Sequence, residues 1–212
     1  MELRRTINTL IADVYKKCNI TSFPFDYKEV IRSYGYGCKS YSEVSEKLRK
    51  MCLEISNDAC IIDKTIFYND RISHQRTMFT LMHELGHILL EHQTRNKEIE
   101  DEADLFASMI LAPRILIHEL NLRTADDIHD YFDISITAAN RALTDYHSWF
   151  YQIAHTTRKP TDIEIDIKNR FVQKKPVKRN IKHYNTKIRY LLDPSNDEYF
   201  IRMMEQRRTE PY

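Results

Sequence analysis

Hydrophobic positions recur at helical spacing through much of the chain. Leu3, Ile7, Leu10, Ile11 and Val14 fall every three or four residues, with Arg4, Arg5, Asp13 and Lys16 between them, which predicts a helix over 3–17. Ser22-Phe23-Pro24 breaks it, and a second short helix is expected from Asp26 to Ser33. Tyr34-Gly35-Tyr36-Gly37 reads as a turn feeding a strand near Cys38–Tyr41. Ser42 is placed as the cap of a third helix ending near Glu54, although Ser42-x-x-Ser45 lacks the Glu of a full capping box. Ala59–Ile62 and Thr65–Tyr68 are β-prone runs joined by Asp63-Lys64. They read as a hairpin whose turn lacks the glycine that a tight two-residue loop prefers. The stripe Met78, Leu81, Met82, Leu85, Ile88 and Leu89 predicts a buried helix from Gln75 to His92. A polar connection leads to a helix over 98–111, stopped by Pro113, and two or three short helices follow in 114–150. The pattern is that of a mostly helical α+β chain, with a small three-stranded sheet packed on the 75–92 helix.

Past Thr157 the pattern changes. Ile163, Ile165 and Ile167 alternate with acids, which predicts a strand or extended arm. A run from Lys168 to Lys182 then carries seven basic residues and no acid, and Leu191–Met204 reads as a last helix. Three parts are expected: a core over 1–113, a helical extension with helix-turn-helix cadence over 114–155, and a basic, partly extended tail over 156–212. Residues 160–212 are expected to be dispensable for metal binding and for folding of the core.

Composition narrows this little. The 212 residues hold 32 Lys plus Arg against 31 Asp plus Glu, so net charge argues neither for nor against a nucleic-acid partner. Only three glycines occur, in keeping with few tight hairpins. Cys18, Cys38, Cys52 and Cys60 form no C-x-x-C pair, and a chain of this size can bury a core without disulfides. Reduced thiols are expected. Met1-Glu2-Leu3-Arg4-Arg5 leads into an amphipathic stretch and not an apolar signal core, and no run approaches the roughly 20 apolar residues of a membrane span. These points together predict a cytoplasmic protein without membrane contact.

The candidate chemistry lies on the buried helix. His83-Glu84-Leu85-Gly86-His87 is H-E-x-x-H, and residues four apart share one helix face. Two imidazoles so placed can reach one zinc ion. Glu84, next to the first ligand, can take a proton from a water whose pKa the metal lowers to about 7, and can pass it to a leaving amine. Buried imidazoles and a carboxylate need partners, and a metal supplies them. Gly86 costs the helix about 1 kcal/mol relative to alanine, which is tolerable where another backbone or a ligand approaches closely.

A peptidase site needs a third protein ligand and an open position. Glu98, Glu100, Asp101, Glu102 and Asp104 precede the apolar face Leu105, Phe106, Met109 and Ile110. Helix-dipole preference accounts for Glu98 and Asp101. Glu100 and Asp104 stand i, i+4 beside that face, so one can bind metal while the other accepts a ring N–H from a ligating histidine. Glu102 points about 200° away from Glu100 and pairs with Phe106 instead.

These segments resemble the ImmA/IrrE family of metallopeptidases. The likeness is carried by R-T-M-F-T-L-M-H-E-L-G-H-I-L-L from Arg76 and by E-D-E-A-D-L-F-A-S-M-I-L-A-P ending at Pro113. Ile66-Phe67-Tyr68-Asn69 resembles the family's strand before the active-site helix. Tyr131–Leu143 resembles its later segment, with Arg-Ala-Leu where Arg-Leu is usual. The likeness covers about 1–150 and stops short of the tail. It implies a zinc metallopeptidase with His83, His87 and Glu100 as ligands, Glu84 as general base and Asp104 as a supporting carboxylate; Mn2+ could substitute in vitro. It also implies a regulatory substrate, a helix-turn-helix transcriptional repressor of a mobile element, prophage or stress operon. The alternative is a non-catalytic DNA- or repressor-binding sensor with a vestigial zinc site, against which an intact Glu84 speaks.

Other residues read more plainly. His74, His92, His118, His129, His147, His155 and His183 lack ligand spacing and are taken as surface or capping residues. The group that would stabilise an oxyanion stays open among these, Tyr68 and Tyr131. Thr65–Tyr68 could offer a strand edge to a substrate, or be a structural strand only. The second helix of the 124–143 unit begins Ile136-Thr137-Ala138-Ala139-Asn140, without the basic residues a DNA-reading helix wants, so packing or repressor docking is favoured over direct nucleic-acid binding.

Overall fold

In the computed structural model, residues 2–172 are described, apart from Arg95 and Arg158. The helix expected at 191–204 and the basic run past Val172 lie outside the described residues. Nine helices and three strands occur among the described residues. Helix α1 spans Glu2–Lys17 and α2 spans Tyr27–Ser33, with the Asp26 side chain accepting from the Lys28 and Glu29 N–H groups. Strand β1 is Gly37–Ser40. Helix α3 is Glu46–Ile55, and its cap is Ser45 instead of Ser42, because the Ser45 hydroxyl is the one placed to accept from Leu48 N–H. Strands β2 (Ala59–Ile62) and β3 (Thr65–Tyr68) form the hairpin read from the sequence. Asp63 takes the left-handed conformation, φ 53°, that a glycine would otherwise supply.

The sheet order is β1-β3-β2, with β1 parallel and β2 antiparallel to β3. Strand β3 is therefore central. Both its edges are paired, so it offers no edge to a substrate; β1 and β2 are the edge strands. Side chains alternate between the two faces, as strand geometry requires. Ala59, Ile66 and Tyr68 join the main core, whereas Cys60 and Phe67 join Tyr41 and Cys52 in a small cluster against α3. All four cysteines are free.

Helix α4 is His74–Leu89 and α5 is Lys97–Leu111, and these two pack on each other more extensively than any other pair of elements among the described residues. Met78, Leu81, Met82 and Leu85 of α4 and Phe106 and Ile110 of α5 are almost wholly buried. Helices α6 (Arg114–Glu119), α7 (Ala125–Phe132) and α8 (Ile136–His155) follow. The α7–α8 pair turns at Asp133, φ 56°, and packs through Ile128, Phe132, Ala139 and Ala142. Arg114 is 4% exposed and pairs with Asp145, which also accepts from Arg4, tying α6 to α8 and α1. No helix among the described residues is long and apolar enough to cross a membrane.

The reading of 163–167 as an extended arm is corrected. Asp162–Val172 is a helix, α9, packed on α1 and α6. Thr161 and Glu164 form a reciprocal capping box: Thr161 N–H donates to Glu164 Oε2 at 2.8 Å, and Glu164 N–H donates to Thr161 Oγ1 at 3.3 Å. Glu164 also accepts from Trp149 Nε1 at 2.6 Å. Ile167 and Phe171, one turn apart, enter the core, where the Phe171 ring lies 5.1 Å from Tyr15 and 4.9 Å from Phe23. Two residues of the basic run are held by the fold: Lys168 pairs with Glu119 and Arg170 donates to the Ile20 carbonyl.

Candidate metal centre

Helix α4 presents His83 and His87 on one face, one turn apart, and α5 presents Glu100 to both. His83 Nε2 and His87 Nε2 are 3.0 Å apart. His83 Nε2 lies 3.2 Å from Glu100 Oε2, and His87 Nε2 lies 3.6 Å from Glu100 Oε1. One ligand atom from each residue falls within 4.8 Å of the others, so the three could hold a metal ion. Glu84, between the histidines in sequence, is 3% exposed.

Two features test whether a cation fits. Glu100 Oε1 is buried and has no hydrogen-bond partner, a costly arrangement for a carboxylate oxygen. The two Nε2 atoms face each other. His83 Nδ1 lies 2.7 Å from Asp104 Oδ1, and a carboxylate accepts, so the ring hydrogen of neutral His83 sits on Nδ1. Its Nε2 then carries a lone pair toward His87 and Glu100. A cation among these atoms would be coordinated by them in place of the Nε2–Nε2 hydrogen bond, and the imidazole–carboxylate donor set suits zinc.

The local electrostatics point the same way. Burial alone would lower the His83 pKa. The bond to Asp104, together with the charges of Asp104, Glu84 and Glu100, outweighs burial and holds it above the ordinary 6.5. A raised histidine pKa favours the protonated form in the metal-free fold. Its contribution to stability is fully present below about 6.5 and is lost as pH rises through the folded-state value. A metal needs His83 neutral and so competes with that proton. Apparent zinc affinity is therefore expected to fall by up to roughly tenfold per pH unit below the raised pKa, with proton release on binding. Calorimetry in buffers of different ionisation enthalpy reads that release directly; affinity that is flat from about pH 5.5 to 8 contradicts it.

Gly86 is explained by α5. A Cβ at this position would lie 3.1 Å from Phe106 Cδ1 and 3.3 Å from the Ala103 Cα. Both residues are fully buried, so α5, which carries Glu100, would have to shift. Gly86→Ala is expected to destabilise the protein: overpacking costs about 1–3 kcal/mol, more than the gain of about 1 kcal/mol in helix propensity. Thermal melts of the metal-free protein check this, and a midpoint at or above wild type would contradict it.

Of the residues singled out from the sequence, the structure brings together His83, His87, Glu100 and Asp104; Glu84 is buried, and its charge acts on His83. Tyr68 accepts from Lys28 Nζ at 2.7 Å, and Tyr131 packs against the rings of Phe23 and Phe132. Two residues read as unremarkable join the cluster. His92 is not a surface residue: its side chain is 7% exposed and its Nδ1 lies 2.9 Å from His87 Nδ1. Glu102, which the sequence pairs with Phe106 and turns away from Glu100, lies 3.2 Å from His92 Nε2. The sequence predicts a helix running to His92, but it ends at Leu89. Glu91 adopts φ 57°, and the His92 N–H returns to the His87 carbonyl at 3.0 Å. A glycine at Glu91 would have signalled that turn, and none is there.

Residues 44–144 match the family model of the IrrE N-terminal-like domain, Peptidase_M78. That stretch runs from before α3 into α8 and contains every residue of the cluster. The chain carries an IrrE N-terminal-like peptidase domain. A search of curated proteins finds no match. The IrrE-like domain is of metallopeptidase type, which accords with a His-His-Glu cluster able to hold a metal and implies a protein substrate.

Proposed function

We propose that this chain is a zinc-dependent, site-specific endopeptidase of the cytoplasm that cleaves a helix-turn-helix transcriptional repressor. The observation that carries the peptidase reading is the convergence of His83, His87 and Glu100 beside a buried Glu84, inside an IrrE-like domain. Such a cluster without Glu84 would serve a structural or sensing role equally well. Zinc as the ion is supported by the donor set, and the repressor as substrate by the family resemblance. Manganese is expected to support the reaction in vitro.

A metal held by His83, His87 and Glu100 would supply Lewis acidity toward a carbonyl and a water. The chain's own residues do the rest. Glu84 removes a proton from the attacking water and delivers it to the departing amine nitrogen. His83 and His87 hold Nε2 toward the metal position, and Glu100 closes the set from α5. Asp104 fixes His83 by accepting from Nδ1–H, which leaves the Nε2 lone pair for the metal.

The test is direct. The purified protein is loaded with zinc, mixed with a candidate helix-turn-helix repressor, and assayed for a chelator-sensitive fragment. Metal analysis is expected to give about one zinc per chain, lost in His83→Ala and His87→Ala, with affinity strongly lowered in Glu100→Ala. Retention of zinc in all three variants would overturn the ligand set. Intact repressor after incubation with zinc-loaded protein would overturn the substrate.

A further inference from the structure

We infer that His92 and Glu102 form a relay that positions His87, the counterpart on the second histidine of what Asp104 does on the first. The inference rests on the metal-site reading above. His87 Nδ1 and His92 Nδ1 are 2.9 Å apart, and His92 Nε2 and Glu102 Oε2 are 3.2 Å apart. The three groups form one line from α5, through the turn after α4, to the inner face of α4.

The direction of every hydrogen bond follows from the far end. An ionised carboxylate only accepts, so Glu102 takes the hydrogen of His92 Nε2. Neutral His92 then bears its lone pair on Nδ1, which accepts from His87 Nδ1–H. A neutral His87, the form that a metal requires, is thereby left with its lone pair on Nε2, the atom that faces His83 and Glu100. The opposite polarity would place a hydrogen on His87 Nε2 and close that face to a metal. Glu102 thus selects the tautomer of a residue it does not touch. A carboxylate or carbonyl bound directly to a ligand's free ring nitrogen does the same over one bond.

The backbone is built to hold this line. Glu91 in the left-handed conformation reverses the chain, and the His92 N–H bonds the carbonyl of His87 itself, so the two rings are brought together from both ends. Their centroids are 5.0 Å apart. Glu100 and Glu102 divide the labour of α5: the first turns toward both Nε2 atoms and the second toward His92.

The experiment uses the full chain and Zn2+ as the probe, with affinity measured against a competing chelator. His92→Phe keeps a ring and removes both hydrogen bonds. Glu102→Gln removes the charge but can still accept. Glu98→Gln removes a nearby exposed charge outside the relay. Zinc affinity is expected to drop about 10–100-fold in His92→Phe, less in Glu102→Gln, and hardly in Glu98→Gln. Long-range proton–nitrogen spectra of the metal-free protein should show the His87 hydrogen on Nδ1 in wild type and a mixture of tautomers in His92→Phe, a change that loss of packing alone does not produce. Wild-type affinity in His92→Phe, or a hydrogen on His87 Nε2 in the wild type, overturns the relay. Zinc bound no better by wild type than by His83→Ala overturns the metal site and the relay with it, an outcome distinct from a relay that fails on a working site.

Discussion

Glu84→Gln is expected to leave zinc bound while lowering the rate of peptide hydrolysis by about 10²–10⁴-fold, the usual contribution of a positioned acid–base group. Glutamine has nearly the shape of glutamate, and Glu84 is not one of the three residues whose atoms converge. Metal content should therefore stay at the wild-type level. What the variant loses is a carboxylate able to hold the water's proton and return it to the leaving nitrogen. The amide can do neither at neutral pH. Burial sharpens the effect, because bulk water cannot easily take over the proton transfer at a side chain 3% exposed. The measurement pairs metal analysis with single-turnover cleavage of the repressor. Loss of zinc from Glu84→Gln, with zinc kept in His83→Ala, would exchange their roles. Cleavage at the wild-type rate by zinc-loaded Glu84→Gln would remove Glu84 from the chemistry.

Ending the chain after Lys159 is expected to lower the melting midpoint by roughly 10–20 °C or to prevent folding altogether. This reverses what the tail's composition suggests. Helix α9 places Ile167, 2% exposed, and Phe171, 7% exposed, in the core. Burying those two side chains contributes about 3–6 kcal/mol. A whole domain retains only about 5–15 kcal/mol of net stability. Removing α9 also uncovers Tyr15 and Phe23 and strips Trp149 Nε1 of its acceptor. A chain ending at Lys175 keeps the helix and should melt near the full-length value. Equal, cooperative melts for the Lys159 and Lys175 truncations would show that α9 adds nothing to the fold.

Two signals compete in the sequence of α9. Ile163, Ile165 and Ile167 alternate as a half-buried strand would, which predicts an extended arm. Thr161-x-x-Glu164 is a capping-box sequence and marks a helix start just ahead of them. The pair that matters is Ile167 with Phe171, at i, i+4, and the contacts that choose it come from α1 and α6, more than forty residues away in sequence.

Sequence by itself determined what short-range geometry determines. Helical periodicity placed His83 and His87 on one face of a buried helix, and Glu100 and Asp104 on one face of the next. Two β-prone runs flanking Asp63-Lys64 gave the β2–β3 hairpin, and the order of the two signature segments carried the family resemblance. Each of these depends on residues within about a turn or a hairpin of one another, where spacing alone fixes direction. Only the tertiary structure decided the rest. It made β3 central by bringing β1 alongside in parallel, a pairing set by the crossover through α3 and not by either strand. It drew Glu91 into a conformation that its own side chain disfavours, because packing between α4 and α5 and the bond from His92 outweigh the local preference. His92 and Glu102 meet through that turn. They are ten residues apart, on different elements, and no local periodicity relates them.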